Sequence, residues 1–172
     1  MSQDWSRPIR LHELARGPLK VRLEPDAAER ARVAHDLGLE SLPALTAELT
    51  VRAWLDGAEI SGRFKARVEQ LCSVSLEAFE QDLAGEIDVR MTPAGSLNAP
   101  TEAGHELELD LDAPDPPDVL EGDAVDLAAY VIEHLALEID PFPRKPGAEF
   151  EYAPPDKEES PFAVLKNLKP KP

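Results

Sequence analysis

The middle of the chain is organised by strict alternation of apolar and polar residues. Leu45, Ala47, Leu49, Val51, Ala53 and Leu55 alternate with Thr46, Glu48, Thr50, Arg52 and Trp54, the period of two that lays one face of a strand on a core. Asp56-Gly57 follows, a dipeptide favoured in tight hairpin turns because their central residues need positive φ. Beyond it Ile60, Gly62, Phe64, Ala66 and Val68 alternate with Ser61, Arg63, Lys65, Arg67 and Glu69. This pattern predicts a long antiparallel hairpin with one apolar face, and Ala58-Glu59 is expected to lengthen its loop beyond two residues. The second strand is expected to run on through Cys72, Val74 and Leu76, which keep its parity. A third strand fits residues 83–91, with Ile87, Val89 and Met91 inward and Glu86, Asp88 and Arg90 outward. Residues 106–111 read Glu-Leu-Glu-Leu-Asp-Leu; the acids of such a strand keep an exposed edge from pairing with other molecules.

Flanking segments carry helical signals. Residues 1–24 look extended, with Leu19, Val21 and Leu23 alternating against Lys20, Arg22 and Glu24. Asp26 and Glu29 have the spacing of a capping box, Ala27, Ala31, Val33, Ala34 and Leu37 supply an apolar face, and Gly38 is placed to end the helix. A second helix is expected to be capped by Asp123, to bury Val125, Ala128, Val131, Ile132, Leu135 and Ile139, and to stop before Pro141. Residues 92–105 have loop composition. The fold class is therefore α+β: a mostly antiparallel sheet of four to six strands with a long central hairpin, packed with one or two helices. Residues 1–150 are expected to form one domain, and 151–172 an irregular tail rich in Pro and charge. Within the tail, only Pro161 to Leu165 has the apolar content to dock.

Charge sharpens this picture. The net charge over 172 residues is −16. Residues 1–76 hold 11 Lys+Arg and 11 Asp+Glu, and residues 139–172 hold 6 of each. Residues 77–138 hold one base, Arg90, and 17 acids, so 1 − 17 = −16 and the whole excess lies there. Such a field repels phosphate and favours a basic partner; the plainer reading is a solvated, solubilising face. The candidates for contact with a basic partner are Glu106, Glu108, Asp110, Asp112, Asp115, Asp118 and Glu121. No run approaches the ~20 apolar residues of a membrane helix, residues 1–10 lack the apolar stretch of a signal peptide, and the single Cys72 fits a reducing compartment. A cytoplasmic protein is the expectation.

Candidate chemistry is sparse. His12, His35, His105 and His134 include no pair at i, i+4 spacing, and one cysteine makes no thiolate zinc site. Cys72 has inward parity on its strand, which reads as a buried inert thiol rather than a nucleophile. No Gly-rich phosphate loop is present, and paired carboxylates carry no specificity in so acidic a segment. No catalytic residue, metal, cofactor or small-molecule substrate is therefore assigned, and a hydrolase or nuclease is the least favoured class of function because no site for it emerges. Arg52, Trp54, Arg63, Lys65 and Arg67 share the outward face of the hairpin and could form a positive patch with an aromatic in it, suited to RNA. The alternative is a polar solvent face balanced by Glu48 and Glu69.

Three blocks carry a family resemblance. Residues 62–77, Gly-Arg-Phe-Lys-Ala-Arg-Val-Glu-Gln-Leu-Cys-Ser-Val-Ser-Leu-Glu, resemble the central strand signature of the YceD family. Residues 120–127, Leu-Glu-Gly-Asp-Ala-Val-Asp-Leu, resemble that family's entry into its helix, and residues 133–148 are similar to its run around Asp140-Pro141-Phe142-Pro143. Ser160 to Leu165 also fits, and order and spacing are similar to the alphaproteobacterial branch. The resemblance implies a non-enzymatic role in synthesis, processing or stability of large-subunit ribosomal RNA. It also implies a basic large-subunit ribosomal protein or an rRNA precursor as partner, since the family's gene often lies beside that of such a protein. No catalytic residues are established for the family, so none are carried over. Many members have Cys-x-x-Cys where this chain has Cys72-Ser73-Val74-Ser75. An rRNA factor is expected to be basic, and this one is acidic; an adaptor that shields a basic protein accommodates both facts.

Overall fold

The structure, a computed structural model, describes residues 5–99 and 116–150. A five-stranded sheet is built from β2 (Leu19–Leu23), β3 (Ser41–Trp54), β4 (Gly57–Leu71), β5 (Ala78–Pro93) and β6 (Asp118–Leu120), adjacent in that order. All pairings are antiparallel except the short parallel contact of Met91–Pro93 in β5 with β6. A two-stranded sheet pairs β1 (Pro8–Arg10) with β7 (Ala124–Asp126). The helices are α1 (Ala27–Asp36) and α2 (Leu127–Glu138), with a 3-10 turn at Leu11–Arg16. The α+β architecture and the long central hairpin match expectation.

Period-two patterning puts one side of every central strand in the core. Leu45, Ala47, Leu49 and Val51 of β3, Ile60, Phe64, Ala66 and Val68 of β4, and Ile87 and Met91 of β5 are buried. Val33 and Ala34 of α1 and Ala128, Val131 and Leu135 of α2 cover them. Three glycines let the layers close. Gly62 faces Leu49, and a Cβ there would run into the Glu48 carbonyl oxygen; a Cβ on Gly57 would run into that of Met91. Gly85 lies opposite Phe64, whose ring occupies the space a Cβ would take, 2.6 Å from the nearest ring carbon.

Several boundaries differ from the sequence reading. The hairpin loop has two residues, Leu55 and Asp56, because β4 begins at Gly57 opposite Trp54. Leu55, not the Asp-Gly pair, takes the positive φ of 51°. Gly57 is needed for close approach to β5, a long-range demand that its local context hides. The turn is held from outside: Asn98 Nδ2 donates to Asp56 Oδ1 at 3.2 Å, and the Ser96 hydroxyl, then Asn98, hold the Asp56 carboxyl below its usual range. Strand β4 stops at Leu71, and residues 72–77 turn back into β5, with Leu76 at φ 57°. The even parity of Val74 and Leu76 was therefore coincidental.

The N-terminal stretch is not wholly extended either, since Leu14 is buried in the 3-10 turn. The Asp26–Glu29 capping box is present as expected, but Ala27 and Ala31 are exposed. Helix α2 starts later than expected. Asp126, not Asp123, is its cap, accepting from Ala128 N at 3.0 Å while also accepting from Arg7 N at 2.8 Å and Ser6 Oγ at 2.6 Å. Residues before Asp126 are drawn into pairing with β1, which the helical pattern alone does not show. The expected strand at 106–111 and the tail at 151–172 lie outside the described residues.

Candidate functional site: the outer face of the sheet

The side of the sheet away from the helices is a charged ladder set by cross-strand register. Opposed residues on one face have Cβ atoms about 4.5–5.5 Å apart, so register decides which charges meet. Arg52, Glu59 and Arg90 are aligned across β3, β4 and β5, as are Glu48, Arg63 and Glu86, and Ala44, Arg67 and Asp82. Arg22 of β2 lies opposite Glu48.

The first row is the most enclosed. Glu59 is 2% exposed, with Arg52 bonded to one carboxylate oxygen and Arg90 Nε to the other at 3.0 Å. Hydrogen bonds from Arg52 and then Arg90 hold the Glu59 carboxyl below the usual range, outweighing the effect of burial. The Arg90 guanidinium lies 5.7 Å from the Trp54 ring centroid, a cation–π contact. In the second row Arg63 Nη2 reaches Glu48 at 3.4 Å and Arg22 reaches it at 3.7 Å. In the third, Arg67 makes two bonds to Asp82, at 2.8 and 3.3 Å, with Glu80 at 3.9 Å. The pair holds the Asp82 carboxyl down and the Arg67 guanidinium up.

All five residues singled out as a basic patch therefore share this face, as their parity requires. Arg52, Arg63 and Arg67 are each engaged by an acid, Trp54 lies under Arg90, and Lys65 forms no ion pair among the described residues. The two residues that organise the first row, Glu59 and Arg90, were not singled out. Arg90 had a signal: it is the sole base in an acidic stretch. Glu59 has none, because Ala58-Glu59 reads as part of the loop that follows Asp56-Gly57.

Acidic side chains gather towards β5. Glu86 and Asp88 point outward from it and form no ion pair among the described residues. Asp118 accepts from the Tyr130 hydroxyl at 3.2 Å; burial and then the Asp118 charge push the Tyr130 hydroxyl up to about 12. Glu121 is exposed. Glu106, Glu108, Asp110, Asp112 and Asp115 lie outside the described residues.

A separate corner forms where β4 turns into β5. Cys72 is fully buried, and its Sγ accepts backbone N–H groups from Lys145 at 3.3 Å and from Val74 and Ser75 at 3.4 Å. Ser73 N donates to Pro143 O at 2.8 Å, and Lys145 Nζ meets Glu77 at 2.9 Å. The Ser75 hydroxyl, with these backbone donors, lowers the thiol to about 6 despite burial. The thiol is inaccessible as expected, and it fastens the segment after α2 to the hairpin. Among the described residues no group of three His, Cys, Asp or Glu side chains is arranged to hold a metal ion, and no helix is long and apolar enough to cross a membrane.

These features define an α+β protein with one sheet face covered by helices and the other given over to charge. The family described as large ribosomal RNA subunit accumulation protein YceD matches residues 60–169, and the chain belongs to that family. The family is named for accumulation of the large ribosomal RNA subunit, not for an enzymatic activity. No curated protein and no solved structure matches the chain. The matched region begins inside β4 and takes in β5, β6, β7, α2 and the Cys72 corner.

Proposed function

We propose that this protein is a non-enzymatic, cytoplasmic factor of large ribosomal subunit biogenesis that works as an acidic adaptor for a basic ribosomal protein. The observation that carries this reading is that every arginine on the outer face of the five-stranded sheet is engaged by an acid, leaving Lys20 and Lys65 as its bases without an ion pair among the described residues. Arg22, Arg52, Arg63, Arg67 and Arg90 each have a carboxylate within 4 Å, whereas Glu86 and Asp88 have no ion pair among the described residues. Surface ion pairs add little stability, but they cancel the potential an RNA phosphate would need. The unpaired acids keep a field that favours a cationic partner. Asp118 and Glu121 belong to the same acidic segment, and Glu106, Glu108, Asp110, Asp112 and Asp115 add charge to it.

Direct rRNA binding through Arg52, Trp54, Arg63, Lys65 and Arg67 is the second reading, supported by Lys65 and by the aromatic surface of Trp54. A pull-down of tagged full-length protein from growing cells, with and without RNase, separates the two. The adaptor reading expects a basic large-subunit protein retained after RNase and unaffected by Arg63→Glu with Lys65→Glu. Recovery of precursor rRNA alone, lost in that double variant, would overturn it.

A further inference from the structure

On the side away from β4, strand β5 is paired with β6 only from Met91 to Pro93, so among the described residues no strand lies along that edge from Ala78 to Arg90. The direction of its backbone groups follows from hydrogen bonds at either end. Cys72 N donates to Glu77 O, one pair beyond the Leu71–Ala78 register. In an antiparallel ladder, residues facing the partner alternate with residues facing away. Even-numbered residues of β5 therefore turn N–H and C=O away from β4. Ala94 N agrees, donating to Leu120 O on the β6 side at 2.9 Å. An unpaired edge of this length is a template for another strand.

Its surroundings specify what could add there. The same even residues carry the acidic row on the outer face, from Glu80 and Asp82 to Glu86 and Asp88. On the helix side, two grooves flank the edge. One, of about 480 Å³, is lined by Val89, Tyr130 and Leu137 among others; Leu137 is 77% exposed. The other, of about 350 Å³, is lined by Phe79, Phe142 and Pro146 together with Glu80, Asp140 and Arg144. An added strand would turn alternate side chains to these two sides.

We propose that the β5 edge is a strand-addition site for an extended segment of a basic protein in which Lys or Arg alternates with apolar residues. The basic residues lie along Glu86 and Asp88, and the apolar ones enter the groove beside α2 and the groove beside the segment that follows it. Backbone bonds supply affinity and the alternation supplies selectivity. This inference rests on the adaptor reading and names the form of its partner.

The test uses the full chain and a synthetic peptide of about twelve residues alternating Lys and Val, long enough to cover the free edge at about 3.3 Å per residue. Two further peptides carry backbone N-methyl groups on every Lys or on every Val. Strand addition expects the parent peptide to slow amide exchange at Glu80, Asp82, Ala84, Glu86 and Asp88. It also expects one N-methyl phase to lose at least tenfold in affinity while the other binds like the parent. Glu86→Lys with Asp88→Lys should weaken the parent peptide at least tenfold. Equal binding of both phases would overturn strand addition, and a basic protein retained after RNase would then leave the adaptor reading standing. Amides at these positions already protected in the free chain, or no peptide binding, would also overturn it.

Discussion

The two faces of the same three strands are built on different rules. On the inner face, shape decides: Phe64 fills the space left by Gly85, and Gly62 lets β4 pass against Glu48. On the outer face, charge decides: Arg52–Glu59–Arg90 and Glu48–Arg63 interlock because register brings them opposite one another. The inner face tolerates no added atom at its glycines, whereas most outer positions can be exchanged at little cost in stability. The contrast teaches where function can reside. A face whose residues are free to change without unfolding the protein can be tuned to a partner.

The largest break in the comparison is Gly62→Ala. Its added methyl meets backbone rather than a movable side chain, so a loss of about 3 kcal/mol or more is expected, at the upper end of overpacking costs. Chemical denaturation checks this. Asp126→Ala comes next, because one carboxylate caps α2 and holds the Ser6–Arg7 backbone. It should cost about 2 kcal/mol, at the upper end for a lost cap, read from the same denaturation curves.

Glu59→Gln tests the one outer row whose acid is buried. The loss should be about 1–3 kcal/mol, the range for hydrogen bonds to charged groups, and it should depend on pH. The folded Glu59 carboxyl titrates below its ordinary value, so its contribution is present above the unfolded value of about 4.3 and is lost as pH falls through the lower folded value. Stability of the variant should therefore fall less steeply than wild type below about pH 4.3, measured by denaturant midpoints across pH. The smallest effect is expected for Arg63→Glu with Lys65→Glu, where the replaced groups are largely solvent-facing. A shift within about 1 kcal/mol separates this exposed row from the Glu59 row.

How much of this was legible in the sequence divides along the same faces. Period two identified the inner residues of β3, β4 and β5, because burial on one side leaves a direct mark on composition. It also put Arg52, Arg63, Lys65 and Arg67 on one outer face. It did not reveal their acid partners in β5, since Arg67 meets Asp82 only through a register that no local pattern encodes. The hairpin turn was misjudged for a related reason: Gly57 answers to Met91 across the sheet, and Leu55 bears the positive φ because the hairpin register leaves only two residues for the loop. Strand β7 carries a helical pattern, because Val125 shares the apolar spacing of α2 while its backbone pairs with Ile9. The three-residue strands lack enough length for any periodicity to declare itself.

The most direct test of the account is a competition at physiological salt between purified large-subunit rRNA and the RNA-free basic proteins of that subunit for the immobilised full-length chain. The adaptor account predicts that basic protein is retained, rRNA is not, and Glu86→Lys with Asp88→Lys abolishes retention. Retention of rRNA in preference to protein, removed by Arg63→Glu with Lys65→Glu, would contradict it.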